Sequence, residues 1–193
     1  MEKALVLILT HKEILKNFYK ITIDKLSILY YNNINKRKRE VFKMRTIYFD
    51  MDGTIANLYG VEGWLDDLIN ARVRPYAEAT PLINFSAFAR QLHRLQNLGY
   101  RIGIVSWLSK SGSAEYNARV TSTKLEWLAK HLPSVEWDEI NIVAYGTPKS
   151  TVVSESGILF DDEMPNRKEW DIAFEDGMAF DVNNILEVLR SLR

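Results

Sequence analysis

The 193-residue sequence has no cysteine, which excludes disulfides, thiolate metal sites and a cysteine nucleophile. It has no net charge either, with 25 basic and 25 acidic residues, so overall charge indicates neither nucleic acid nor a membrane surface as a partner. Near its start the longest apolar run covers only residues 4–9, too short for a membrane span or a signal peptide. We therefore expect a cytoplasmic protein without a membrane partner, of a length that suits one ordinary domain.

The first 43 residues contain no glycine, proline or tryptophan, although the whole chain has nine, five and five of these. They carry ten Lys/Arg and four Asp/Glu, so a basic extension precedes an acidic remainder. Three interpretations stay open for residues 1–43: a helical arm, a basic tail for an anionic partner, and a segment outside the native protein, with translation starting at Met44. We predict one folded domain over residues 44–193.

From Arg45 onward strand patterns alternate with helical ones, which predicts an α/β three-layer sandwich with a parallel, Rossmann-like sheet. Strands are expected over residues 46–50, 101–105, 140–143 and 157–160. Helices are expected over residues 84–98, capped by Asn84, and over 114–131 and 182–192. A small cap insert at about 57–80 interrupts the alternation, with a short helix around 64–71 that Pro75 and Pro81 bring to an end.

Two carboxylates close the first strand, in the run Ile-Tyr-Phe-Asp-Met-Asp-Gly-Thr of residues 47–54. Asp50 and Asp52 are two positions apart, so strand geometry points both side chains to the same side. Neighbouring carboxylates repel each other, and Mg²⁺ offsets this repulsion because it prefers hard oxygen ligands. Gly53 lets the chain turn at a φ that other residues resist. The run predicts a metal site, and the alternative is a solvated turn.

Polar residues also close two further strands of the predicted sheet. Ser106 ends the second strand, and Asp161 and Asp162 end the fourth. The carboxyl ends of parallel strands line one crevice, which is where such sheets bind ligands. Four carboxylates at this crevice imply a metal ion, and a hydroxyl group with a nearby lysine implies an anionic ligand.

These positions resemble the four motifs of the haloacid dehalogenase (HAD) superfamily of phosphotransferases, and the resemblance spans residues 45–193. The run from Asp50 to Thr54 is similar to the first motif, Ser106 to the second, Lys149 to the third, and Asp161-Asp162 to the fourth. Residues 124–128 and 149–162 resemble the 5′-deoxyribonucleotidase branch. The insert is shorter than the cap of the well-studied members, and Trp107 stands where a small polar residue often follows the second motif.

The resemblance implies a Mg²⁺-dependent phosphatase that forms an aspartyl-phosphate on Asp50, with Asp52 as general acid and base. It implies Mg²⁺ ligands from the side chain of Asp50, the main chain of Asp52, and Asp161 or Asp162. The expected phosphate contacts are the main-chain amides after Asp50 and four side chains, Thr54, Ser106, Lys149 and Lys110. Asn166 either joins the outer shell of the metal or caps the helix that follows it.

We expect a small phosphomonoester as substrate, and a nucleoside 5′-monophosphate first, because Tyr59, Trp64, Tyr76 and Trp107 could stack on a base. Core packing beneath the insert is the alternative role for Trp64. The rival activities are a phosphatase for a sugar phosphate or a nucleic-acid end, and a phosphate-binding or regulatory protein without turnover. The sequence leaves the oligomeric state open.

Overall fold

The computed structural model describes residues 46–193, so the predictions for the basic extension lie outside the described residues. The strands are β1 (Thr46–Phe49), β2 (Ala56–Asn57), β3 (Thr80–Pro81), β4 (Arg101–Trp107), β5 (Glu139–Val143), β6 (Ile158–Phe160) and β7 (Met178–Phe180). Five of them form a parallel sheet in the order β5-β4-β1-β6-β7, and β2 pairs with β3 in an antiparallel ribbon. The strands β1, β4 and β6, which carry the predicted motifs, are therefore neighbours.

The helices are α1 (Trp64–Ile69), α2 (Arg74–Glu78), α3 (Phe85–Asn97), α4 (Ala114–His131), α5 (Met164–Ala173) and α6 (Ile185–Ser191). Short 3-10 turns cover Leu58–Gly60, Lys149–Thr151 and Val182–Asn184. None of the helices between residues 46 and 193 combines the length and the apolar character that a membrane span requires.

Alternating residues of the central strand pack against helices on opposite faces of the sheet, as expected for a strand buried on both sides. On one face Phe49 belongs to a buried cluster with Phe88 of α3 and Leu189 of α6. On the other face Tyr48 packs against Trp170 of α5, with ring centroids 5.5 Å apart. This arrangement confirms the predicted three-layer α/β sandwich.

The structure confirms the sequence signals that predict the start and the end of α3. Asn84 caps this helix, because its side chain accepts a hydrogen bond from the main-chain amide of Ala87 at 2.9 Å. Gly99 follows the helix at a φ of +86°, the left-handed conformation that commonly ends helices. The predicted helix over residues 114–131 is confirmed as α4.

Other elements differ from the sequence-based prediction. The insert helix ends at Ile69, and Pro75 does not bring it to an end but lies in the first turn of a separate helix, α2, where its missing N–H group costs nothing. Strand β4 continues to Trp107, two residues beyond the predicted end. Helix α5 begins two residues before Asn166, with Pro165 near its start, and not after Asn166. Strand β7, a three-residue edge strand, has no counterpart in the prediction.

The insert contacts the rest of the domain mainly through the first half of α4. A second apolar cluster joins Leu58 and Tyr76 of the insert to Tyr116 and Val120 of α4, and Trp64 packs against it while half-buried. The hydroxyl of Tyr116 donates to the main-chain oxygen of Arg72 at 3.0 Å. The insert is thus placed over the carboxyl ends of β1 and β4.

Candidate active site

The loop after β1 is held in a tight turn by its own main chain. The oxygen of Met51 accepts hydrogen bonds from the amides of Thr54, Ile55 and Ala56, at 3.2, 3.0 and 2.8 Å. Gly53 has a φ of +78°, and a Cβ atom there would lie 2.5 Å from Asp162 Oδ2. Both its conformation and its surroundings therefore require glycine.

Three carboxylates meet at this turn. Asp50, Asp161 and Asp162 each offer one oxygen, and these oxygens lie within 4.8 Å of one another. Main-chain bonds across the sheet bring them together, because the amide of Asp50 donates to Phe160 O of β6 at 2.9 Å. The cluster is the arrangement that the sequence predicts for the ends of β1 and β6.

Lys149 lies behind the carboxylates and is almost fully buried. Its ammonium nitrogen is 3.0 Å from Asp50 Oδ1 and 2.5 Å from Asp161 Oδ2. Burial acts against its charge, but the two carboxylates outweigh burial and raise the pKa of Lys149. A permanent cation is therefore fixed beside Asp50.

The two consecutive aspartates have different surroundings. Asp161 is fully buried and accepts bonds from the Glu163 amide at 2.8 Å and from Asn166 Nδ2 at 3.2 Å, in addition to its bond from Lys149. Asp162 lines the cavity, and Thr54 holds it in place: the Thr54 hydroxyl accepts from the Asp162 amide at 3.1 Å and lies 3.3 Å from Asp162 Oδ1.

The pKa values of these two acids reflect the crowding of negative charge. Burial, followed by the charge of Asp50, raises the pKa of Asp161 to about 6. Burial and the charges of Asp50 and Asp161 raise the pKa of Asp162 to about 7. Crowded carboxylates of this kind are stabilised when a divalent cation takes the place of protons.

Asp52 belongs to a second group of charges. Its Oδ2 atom is 2.7 Å from the ammonium nitrogen of Lys124, which also donates to Ser106 Oγ at 2.9 Å and to Trp107 O at 2.7 Å. Burial raises the pKa of Asp52, while Lys124 acts in the opposite direction. The Asp52 side chain remains 20% exposed, so it can reach a ligand from a fixed position.

A cavity of about 310 Å³ opens above these groups. Polar residues form its floor, and the insert and the ends of β4 and β5 contribute aromatic walls. The wall rings form two contacting pairs, Tyr59 with Trp64 at 5.0 Å and Trp107 with Tyr145 at 4.8 Å between centroids. The residues that line the cavity include Asp50, Asp52, Tyr59, Trp64, Tyr76, Trp107, Lys110, Tyr145, Lys149 and Asp162.

Most of the residues singled out in the sequence lie together at this site. Two of the expected phosphate contacts, however, are bonded to protein side chains instead. Thr54 and Ser106 are fully buried, with Thr54 bonded to Asp162 and Ser106 bonded to Lys124. Lys110 lines the cavity and is exposed, with its ammonium 5.5 Å from the Tyr145 ring. The amides of Gly53 and Thr54 bond within the loop, which restricts the expected amide contacts to the first two residues after Asp50.

Sequence reasoning left the roles of three residues unassigned or undecided. Asn166 supports Asp161, and the helix that follows begins instead after Glu163. Tyr145 lies in a loop without a motif. Lys124 could have been found, because its spacing from Val120 and Leu128 places it on the buried face of α4, where a lysine needs acidic or polar partners.

The donor set suits Mg²⁺. Asp50, Asp161 and Asp162 supply only carboxylate oxygens, the ligands that this ion prefers, and the cavity beside Asp162 leaves room for water or phosphate oxygens in the rest of its shell. The nearby Lys149 already offsets part of the negative charge. The arrangement combines a carboxylate beside a buried lysine, a second acid two residues away and an oxygen site that suits a hard cation.

Comparison with known proteins gives structural resemblances alone. No family model matches the chain, and no curated protein matches it. The solved structure of D,D-heptose 1,7-bisphosphate phosphatase from B. bronchiseptica, complexed with magnesium and phosphate, is 13% identical, with a TM-score of 0.45 over 76% of this chain and 98% of that one. The same enzyme from Burkholderia thailandensis is 12% identical, with a TM-score of 0.48 over 77% and 99%. A likeness at this level does not extend to activity or substrate.

Proposed function

We propose that the chain is a Mg²⁺-dependent phosphomonoester hydrolase of the HAD type, and that its substrate is a nucleoside 5′-monophosphate. The observation that carries this proposal is the pairing of the two acids with separate buried cations: Asp50 with Lys149, and Asp52 with Lys124. The two carboxylates of one short loop are thereby held in different environments, as a reaction with a nucleophile and an acid requires.

Asp50 is the proposed nucleophile. One of its oxygens forms a bond to phosphorus while the bond between phosphorus and the leaving alkoxide breaks, which yields an aspartyl-phosphate and splits one displacement into two. Lys149, 3.0 Å from Asp50, holds the carboxylate in place and attracts the phosphoryl oxygens. Bound Mg²⁺, held by Asp50, Asp161 and Asp162, would reduce the repulsion between the carboxylate and the phosphate dianion.

Asp52 is the proposed acid and base. In its protonated form it gives a proton to the leaving alkoxide, and the resulting carboxylate then removes a proton from the water that attacks phosphorus and frees Asp50. The raised pKa of Asp52 favours the protonated form that the first step needs. Its bond to Lys124 through Oδ2 leaves Oδ1 for these transfers.

Ser106 supports the phosphate site from beneath. Lys124 can only donate, so the Ser106 hydroxyl accepts that bond and retains its own proton for another acceptor. The side chain is fully buried and does not line the cavity, so its proposed role is to hold Lys124 beneath the phosphate site. Thr54, by contrast, acts through Asp162, because its hydroxyl both accepts from and contacts that residue.

The aromatic walls support the choice of a nucleotide. Tyr59, Trp64, Trp107 and Tyr145 line the cavity in two pairs, and flat rings of this kind bind the face of a base. Lys110 at the rim offers a cation to the phosphate or to the base. The proposed partner is thus a small molecule, with its phosphate on the polar floor and its base between the walls.

The test is phosphate release from a panel of nucleoside monophosphates and sugar phosphates. Mg²⁺ should support release, a chelator should abolish it, and Asp50→Asn should lower it by about 10³-fold or more because the nucleophile is lost. Asp176→Asn, which changes an exposed aspartate of the turn before β7, is the matched control and should retain full activity. Release from every class at similar rates would remove the nucleotide assignment, and the absence of release from all of them would contradict the enzyme itself.

A further inference from the structure

Lys124 is a buried cation that lies beside the reacting groups. It projects from the middle of α4, and only 1% of its side chain is exposed. A lysine in such a position is rarely stable unless all of its charge is compensated. Its surroundings therefore indicate what it does.

All three N–H donors of the Lys124 ammonium group have an oxygen partner. These are Asp52 Oδ2 at 2.7 Å, Ser106 Oγ at 2.9 Å and Trp107 O at 2.7 Å. An ammonium group has three donors and no acceptor, so this set saturates it. The side chain can neither rotate nor move without losing a bond in a buried place.

The three partners come from two separate parts of the site. Asp52 belongs to the loop after β1, whereas Ser106 and Trp107 end β4. Tyr76 of the insert covers the ammonium group from a fourth side, with its ring centroid 5.3 Å away. Lys124 therefore contacts the loop, the sheet and the insert at the same time.

We propose that Lys124 is a positioning residue that fixes the carboxylate of Asp52 for proton transfer, by anchoring it to the end of β4. This inference depends on the proposed function. Ser106 Oγ and Trp107 O act as the fixed end of the anchor, because both belong to β4, which pairs with a strand on each side, and Asp52 is the carboxylate that reaches the cavity. Lys149, by comparison, contacts Asp50 and Asp161 and not Asp52 at salt-bridge distance.

The expected signature is a dependence on the leaving group. An alkyl leaving group, such as the 5′-oxygen of a nucleoside, needs a proton as it departs, whereas p-nitrophenolate departs without one. Loss of a positioned acid should therefore lower kcat/KM for the alkyl ester by about 10–100-fold, and for p-nitrophenyl phosphate by about threefold or less. A change that merely loosened the fold would lower both values equally.

The experiment compares Lys124→Met with wild type on these two substrates, with Mg²⁺ present. Lys124→Gln is the second variant and replaces Lys124→Met if that protein does not fold. Its amide fits the space and keeps up to two donors, so the ratio of kcat/KM for the two substrates should lie between those of wild type and Lys124→Met. Lys130→Met, an exposed lysine on the same helix, is the control and should leave both rates unchanged. Melting temperatures identify variants that are misfolded.

A double mutant supplies the second measurement. If Lys124 acts through Asp52, Lys124→Met should cost little further activity on the alkyl ester in an Asp52→Asn background. Equal losses on both substrates, or a full additional loss in the double mutant, would overturn the inference. Because wild type and Asp50→Asn are measured first, failure of wild type to release phosphate counts against the proposed function, whereas an unchanged substrate ratio counts against Lys124 alone.

Discussion

The floor of the cavity and the insert above it both contain buried charge, but they use it differently. In the floor, Lys149 and Lys124 are almost fully buried and face carboxylates that line the cavity. In the insert, the buried carboxylate of Asp67 is paired with Arg72 at 2.7 Å and Arg74 at 2.5 Å, two arginines that are 60% and 41% exposed.

The difference indicates which part carries the chemistry. Asp67 is fully neutralised by two cations and does not line the cavity, so its pairing holds α1 and α2 in place. In the floor, acids outnumber their cations, which leaves unneutralised charge for a metal ion or a proton. We infer that the floor determines the reaction and that the insert determines the substrate.

Among the changes that test this difference between floor and insert, the largest effect is expected where a cation of the floor is removed. Lys149→Met leaves Asp50 and Asp161 without their partner in a buried place, which should cost about 3–5 kcal/mol of unfolding free energy. Loss of the charge beside the phosphate should lower kcat by about 10²–10³-fold. Chemical denaturation and steady-state phosphate release measure the two effects.

The control for this change is Lys168→Met, which removes an exposed lysine from α5 and should alter neither quantity. The same loss of activity at unchanged stability would still place Lys149 in the reaction. Retained activity in a folded Lys149→Met protein would contradict the role given to the floor.

A smaller effect is expected from crowding the metal site through Gly53. Gly53→Ala places a methyl group 2.5 Å from Asp162 Oδ2 and 2.7 Å from the Tyr59 ring, at a φ of +78°. The backbone strain should cost about 1–2 kcal/mol, and the displaced carboxylate should lower kcat by about tenfold or more at limiting Mg²⁺. Activity measured against Mg²⁺ concentration detects the weaker metal site.

Gly146→Ala separates strain from crowding. Gly146 has nearly the same φ, +82°, but a Cβ atom there would meet nothing within 4 Å. This variant should lose the same 1–2 kcal/mol of stability and keep its affinity for Mg²⁺. Equal kinetic losses in both variants would show that strain alone, and not contact with Asp162, explains the effect of Gly53→Ala.

The sequence predicts the floor better than the walls for a physical reason. Strand patterns place Asp50, Ser106 and Asp161 at the ends of parallel strands, and these ends meet at one edge of a sheet whatever the details of packing. The place of each acid in the site therefore follows from its being next to the carboxyl end of its strand. Lys149 lies in a 3-10 turn and not at a strand end, so its place beside the acids is implied by the resemblance to the HAD motifs and not by strand geometry.

Tertiary contacts that depend on helix rotation and loop shape are less predictable. Lys124 projects inward from α4 and pairs with a residue 72 positions away, a contact that no local pattern encodes. Thr54 and Ser106 have the residue types of phosphate ligands, yet packing places their hydroxyls against Asp162 and Lys124. A proline after a helical pattern predicts the end of a helix, but Pro75 fits equally well in the first turn of the next helix, α2.

The smallest effect is expected at the walls and concerns substrate choice. Tyr59 is 46% exposed, lines the cavity and contacts the ring of Trp64 at 5.0 Å. Stacking on a base contributes about 1–3 kcal/mol, and a half-exposed ring should lie at the lower end, so Tyr59→Ala should raise KM for a nucleoside monophosphate by about fivefold. Its kcat should stay within about twofold, because the floor is intact.

Glycerol phosphate, which has no ring, is the matched substrate, and its KM should not change in Tyr59→Ala. Ile69→Ala, which removes a 72% exposed side chain of α1 outside the cavity, is the matched variant. A parallel rise in KM for both substrates would mean that Tyr59 acts on the phosphate site through its neighbours Gly53 and Asp162. The division between a floor that determines the reaction and an insert that determines the substrate would then fail at this residue, since one side chain would belong to both.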